Sequence, residues 1–128
     1  MRLLLDTHVF LWWLAGHRSM SKRVRREIDS AGTDVFVSAA SAWEIATKHR
    51  LGKLPEGQLV ASNVLATIES QQFTPLAVSV LHGQAAGALP GHHRDPFDRM
   101  LIAQAMIEDL TLVSNEHTFD FFSVRRLW

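Results

Sequence analysis

The chain has 128 residues, 47% of them apolar, with 13 basic side chains against 13 acidic ones and no cysteine. That length fits one domain with a sizeable core, and the apolar content excludes a disordered chain. Disulfides, thiolate metal sites and a cysteine nucleophile are excluded too, and with no run of transmembrane length or signal-peptide stretch the expectation is a cytoplasmic protein.

Residues 2–5 read as a short, fully buried strand. A helix is predicted from about Thr7 to Ala15, stopped by Gly16. Ser21 caps a second helix through about Ala31, ended by Gly32. Residues 34–38 form the second strand, and a third helix follows to Leu51, where Gly52 supplies the stop. Pro55 and Gly57 make a turn, and Leu59 to Gln71 reads as helix. Phe73 to Leu76 is a short strand, Ser79 to Ala88 another helix, and residues 89–94 a loop. From Pro96 to Asp109 the apolar residues Phe97, Met100, Leu101, Ala103, Ala105 and Met106 make a mostly buried helix. A strand at 111–114, a helical turn near 118–121 and a final strand at 123–127 complete the chain. No repeat, linker or low-complexity tract divides it, so residues 1–128 are read as one domain. Strands alternating with helices predict an α/β fold, a three-layer α/β/α sandwich with a mainly parallel sheet of four or five strands.

Five carboxylates fall where these segments meet. Asp6 closes the run Leu3-Leu4-Leu5, Glu44 follows Val35-Phe36-Val37, Asp95 and Asp98 open the amphipathic helix, and Glu116 follows Thr111-Leu112-Val113. Ligands of open parallel sheets bind outside the carboxyl ends of the strands. Carboxylates gathered there repel one another, and a hard cation such as Mg2+ relieves that repulsion because it takes oxygen ligands. Each acid also has a structural reading. Asp6 suits the N-cap of the first helix. Ser41-Ala42-Trp43-Glu44 fits a capping box, and Glu44 stands four residues before Lys48 for a helical ion pair. Asp95-Pro96 is an N-cap followed by proline at the first helical position, and Asp98 then favours the helix dipole. Glu116 equally suits a plain surface. Thr7 and Ser38 place hydroxyls beside the same cleft, able to orient water or to cap, and His8 follows Asp6 closely enough to line it. The histidines show no zinc-type H-x-x-x-H pair.

If the five carboxylates face a metal, 13 basic residues oppose eight acidic ones on the remaining surface. The basic residues cluster at Arg18, Lys22, Arg23, Arg25 and Arg26, at Lys48, Arg50 and Lys53, and at Arg94 and Arg99. Such patches suit a phosphate backbone or, equally, solvated helix faces.

Three blocks carry a resemblance to a known family: Leu3-Leu-Leu-Asp-Thr-His-Val-Phe-Leu-Trp-Trp13, Val37-Ser-Ala-Ala-Ser-Ala-Trp-Glu-Ile-Ala-Thr-Lys48 with Leu51-Gly-Lys-Leu54, and His93-Arg-Asp-Pro-Phe-Asp-Arg-Met-Leu-Ile-Ala-Gln-Ala105. In order and spacing they resemble a PIN domain, and more narrowly the VapC toxins of type II toxin–antitoxin modules. The resemblance implies a PIN-like sandwich and a Mg2+- or Mn2+-dependent ribonuclease. It also implies inhibition by a VapB-type antitoxin and a homodimeric build. The family's acids fall on Asp6, Glu44 and Asp98. Its fourth acid, an Asp in Thr-x-Asp-x-x-Phe, falls on Glu116 within Ser114-Asn-Glu-His-Thr-Phe119, a departure in both the Thr and the Asp. Asp95 belongs to the narrower Asp-Pro-Phe-Asp-Arg variant.

The implied chemistry needs no nucleophilic side chain. Asp6 and Asp98 hold the principal metal, Glu44 binds it directly or through water, and Glu116 assists a second, weaker site. Metal-activated water attacks phosphorus in line, leaving a 5′-phosphate and a 3′-hydroxyl. Arg94 or Arg99 is placed to steady the phosphate or to make surface ion pairs. Trp12 or Trp13, with Phe119, Phe121 and Phe122, offers an apolar groove for an amphipathic antitoxin segment. Two rivals stand beside this reading. One is a catalytically inactive domain of the same fold that binds nucleic acid or protein. The other, a haloacid dehalogenase-like phosphatase, needs an acid at position 8, where the chain has His8.

Overall fold

The computed structural model describes residues 1–54, 58–91 and 95–128. Five strands form one sheet: β1 (Arg2–Leu5), β2 (Asp34–Ser38), β3 (Thr74–Leu76), β4 (Thr111–Val113) and β5 (Arg126–Leu127). Their order is β3-β2-β1-β4-β5, and every pairing is parallel. The helices are α1 (Thr7–Ala15), α2 (Lys22–Asp29), α3 (Ala39–Arg50), α4 (Gln58–Ser62), α5 (Val64–Ser70), α6 (Val80–Ala88) and α7 (Pro96–Ile107), with a 3-10 turn at His117–Phe121.

Strand alternation explains the layers. Leu3 and Leu5 face one side of the sheet with Val35, Val37, Val113 and Leu127, where Val9, Phe10, Val24, Ile45 and Ile68 of the α1–α5 layer pack on them. Leu4 and Leu112 face the other side, against Leu101, Ile102 and Ala105 of α7 and Phe119. Side chains alternate along a strand, so β1, buried on both faces at the centre, is apolar from Leu3 to Leu5.

The chain winds from β1 through β2 to β3 on one side, then returns to place β4 and β5 on the other. The reversal makes a crevice between the carboxyl ends of β1 and β4, the switch point at which α/β sheets bind ligands. Asp6 follows β1 and Ser114 follows β4, so both stand at that crevice.

Several local expectations need correction. The helix expected over Leu59–Gln71 is two helices. Asn63 breaks it at φ −159°, ψ 80°, and its side chain caps α5 by accepting from Ala66 N–H. The last strand is only Arg126–Leu127. Ser41 is no N-cap: Ser38 caps α3 by accepting from Ala40 N–H, and Ser41 lies buried inside the helix. The capping box of the described chain belongs to Ser79 and His82. Trp12 and Trp13 are both half-buried against the α1–α5 layer, Trp12 beside Trp128 and Trp13 beside Phe73. Phe119 and Phe122 pack on the opposite layer, so the expected joint groove of tryptophans and tail phenylalanines does not form. The expected turn at Pro55 and Gly57, and His92, His93 and Arg94, lie outside the described residues.

Candidate metal centre

Asp6 stands at the N-cap position of α1, yet its side chain makes no capping bond. The carboxylate instead accepts from Ser114 Oγ at 2.8 Å, while the Asp6 backbone N–H continues the sheet to the Val113 carbonyl. Ser114 Oγ in turn accepts the Glu116 N–H at 3.0 Å. One serine thus fixes the Asp6 carboxylate and the start of the loop that carries Glu116. Glu116 occupies the N-cap of the 3-10 turn and likewise makes no side-chain cap.

Glu44 enters from the second turn of α3, only 3% exposed. It pairs with Lys48 one turn on, as the helical spacing predicts. Burial works against the Lys48 ammonium, but its hydrogen bond to Glu44 and the charges of Glu44, Asp95 and Asp98 outweigh burial, and its pKa is raised. Asp95 behaves as a cap, its Oδ1 accepting from the N–H groups of Phe97 at 2.9 Å and Asp98 at 3.2 Å. That cap sets α7 so that Asp98, in the first turn, is 9% exposed.

These acids act on one another electrostatically, and among the described residues donor atoms of Asp6, His8 and Glu116 lie within 4.8 Å of one another, a group that Glu44 and Asp98 do not join. Burial pushes the Asp98 carboxyl up to about 8, and the negative charges of Asp95, Asp6, Glu116 and Glu44 add to it. Burial also raises Asp6, opposed by the Ser114 hydrogen bond and His8 and reinforced by Glu116 and Glu44. Such mutual repulsion in a buried cleft is what a cation relieves. The carboxylate donors are hard oxygens, which fit Mg2+ or Mn2+.

The supporting residues act as ties. Thr7 Oγ1 donates to Ser41 Oγ at 2.8 Å and fastens α1 to α3 beneath Asp6 and Glu44. Ser38 Oγ donates to Gln104 Oε1 at 2.5 Å. Arg99 donates to the carbonyls of Ala86, Gly87 and Leu89, capping the end of α6. Sequence reasoning missed Ser114 and Gln104. Gln104 is fully buried on α7, bonded to Ser38 and through its Nε2 to the Ala77 carbonyl and His82 Nδ1. A glutamine amid Leu101, Ile102, Ala103 and Ala105 was the available signal, since a buried amide needs partners.

Over residues 3–123 the sequence matches the PIN domain family. Ribonuclease VapC16 of Mycobacterium tuberculosis is 40% identical over 58 residues, a stretch covering 45% of this chain and only 41% of that protein. Among solved structures, VapBC2 from Rickettsia felis, bound to a DNA fragment from its promoter, is similar with a TM-score of 0.69 at 15% identity, covering 99% of this chain and 98% of that one. FitAcB from Neisseria gonorrhoeae gives a TM-score of 0.63 at 22% identity, with 98% and 96% covered. At these identities the two structural likenesses concern the fold.

Proposed function

The chain belongs to the PIN domain family, and from that premise we propose that it is a divalent-metal-dependent endoribonuclease of the VapC toxin type. The observation that supports the reading is the gathering of Asp6, Glu44, Asp98 and Glu116, in which burial first, and the neighbouring carboxylates second, raise Asp98 to about 8. The likeness of part of the chain to a protein named Ribonuclease VapC16 supports RNA as the substrate.

Asp6 and Asp98 would hold the principal Mg2+ or Mn2+, with Glu44 directly or through water, and Glu116 would serve a weaker second site. When bound, the ion supplies Lewis acidity, making water a nucleophile at neutral pH and neutralising charge on the phosphodiester. Ser114 keeps Asp6 and Glu116 in register, and the Thr7–Ser41 bond keeps α1 and α3 from sliding apart. Lys48 holds one oxygen of Glu44 and offsets part of the site's negative charge. The test is cleavage of single-stranded RNA with and without Mg2+, with Asp98→Asn as the control. A protein that binds RNA without cutting it at saturating Mg2+ is the inactive domain instead.

For a partner we propose a VapB-type antitoxin, as in the VapBC2 complex of similar fold. A groove of about 310 Å3 between α1 and α4 is lined by His8, Leu11, Trp12, Leu14, Leu59 and Val60. An amphipathic helix suits its apolar wall. Because His8 borders both groove and site, a segment seated there reaches the carboxylates. A homodimer is proposed with it, through the apolar surface where Trp43 meets Phe97 edge-on at 4.8 Å. Trp43 precedes Glu44 and Phe97 precedes Asp98, so pairing there sets two sites side by side.

A further inference from the structure

We propose that His8 is a nitrogen ligand to the ion held beside Glu116, so that this side of the site takes Mn2+ in preference to Mg2+. The inference rests on the metal-dependent reading above and goes beyond it by assigning the weaker site a mixed nitrogen and oxygen donor set.

One donor atom each from Asp6, His8 and Glu116 lies within 4.8 Å of the other two. His8 Nδ1 stands 4.0 Å from Asp6 Oδ1, too far for a hydrogen bond. Two donors on one ion, each at about 2.1 Å, stand at most about 4.2 Å apart, so this pair already lies within the span of one ion. Three contacts, two of them from Ser114, set that arrangement. Ser114 engages Asp6 Oδ2, which turns Oδ1 toward His8. The same hydroxyl holds the Glu116 N–H. The imidazole is braced by Trp12, ring centroids 6.2 Å apart at 49°. With 52% of its side chain exposed, His8 turns a few tenths of an ångström toward an ion without disturbing the core.

The donor chemistry divides the site. Asp6, Glu44 and Asp98 offer oxygen alone, which suits Mg2+, whereas imidazole favours first-row transition ions. Asp6 is shared between the two sides.

Electron paramagnetic resonance of the full chain titrated with Mn2+, read by electron spin echo modulation, tests this directly. The expected result is 14N modulation from a coordinated imidazole as the weaker site fills. His8→Gln is expected to abolish the modulation and weaken that Mn2+ site by about tenfold or more. Mg2+ affinity of the all-oxygen side is expected to change by less than about threefold. Saturated wild-type protein lacking nitrogen modulation, or modulation that persists in His8→Gln, overturns the proposal. The result is independent of catalysis. Nitrogen-coupled Mn2+ in a protein that cuts no RNA keeps the ligand and discards the ribonuclease reading, while Mg2+-dependent cleavage without nitrogen coupling does the reverse.

Discussion

Asp98 bears the heaviest electrostatic load of the site, and its titration has a sign that can be measured. Its carboxyl is raised from 3.8 to about 8 in the folded chain, so the folded protein keeps a proton that the unfolded chain has released. Stability from this group is therefore full below 3.8 and is lost as pH rises toward 8. In chelated protein, thermal scans should show Asp98→Asn removing part of a decline in Tm across that window, and added Mg2+ should reverse the decline in wild type only. A wild-type slope identical to that of Asp98→Asn contradicts this. Glu116 acts more weakly. Its side chain is one methylene longer than the family's Asp, and ordering the extra torsion costs a fraction of a kcal/mol or more. Glu116→Gln should raise the Mg2+ needed for half-maximal cleavage while leaving activity at high metal, and Glu116→Asp should be tolerated or mildly activating. An unchanged Mg2+ titration would reduce Glu116 to a surface residue. At this scale the positions of the acids at strand ends and helix starts were legible from pattern. Ser114 was not, because a serine after a strand gives no sign of which carboxylate it will hold.

Among the elements, α7 carries both the Asp98 carboxylate and the amide that ties it to its neighbours. Gln104 joins α7 to Ser38 at the end of β2, to Ala77 after β3 and to His82 on α6. Because His82 Nδ1 accepts from the Ser79 N–H, its Nε2 carries the proton and faces Glu108 at 2.8 Å. Gln104→Leu removes a hydrogen-bond partner from Ser38, Ala77 and His82 and should cost about 1–3 kcal/mol, measured as a lower urea midpoint with unchanged slope. Urea unfolding identical to wild type would show that the neighbours repack without it. Element type and order were largely legible, since Leu3-Leu4-Leu5 and the helical spacing of α7 leave little choice. Caps were harder. Ser38 and Ser41 both precede an apolar run, and only the backbone shows that helix α3 begins at the first. Asn63 breaks a stretch whose apolar spacing alone reads as continuous, because a side chain that caps the next helix outcompetes one more helical turn.

For the molecule as a whole, strand order makes the site. Reversal of the winding between β1 and β4 brings residues more than a hundred positions apart, Asp6 and Ser114, into hydrogen-bond contact. No local pattern encodes that pairing; the expectation of one carboxyl edge reached its neighbourhood and no further. The proposed partner surface differs from the one expected from sequence, because Trp12 and Phe119 are both aromatic in sequence and yet lie on opposite layers of the sheet. Trp12→Ala should weaken capture of a co-expressed upstream antitoxin by about tenfold or more, as aromatic anchors of apolar grooves do. Retained affinity would move the partner elsewhere. The most direct measurement of the central claim is RNA cleavage by purified protein, with the new ends sequenced. Mg2+-dependent cuts bearing 5′-phosphates, abolished by chelation and by Asp98→Asn in a folded protein, are the predicted result; cleavage that survives either treatment, or none at saturating Mg2+ or Mn2+, contradicts it.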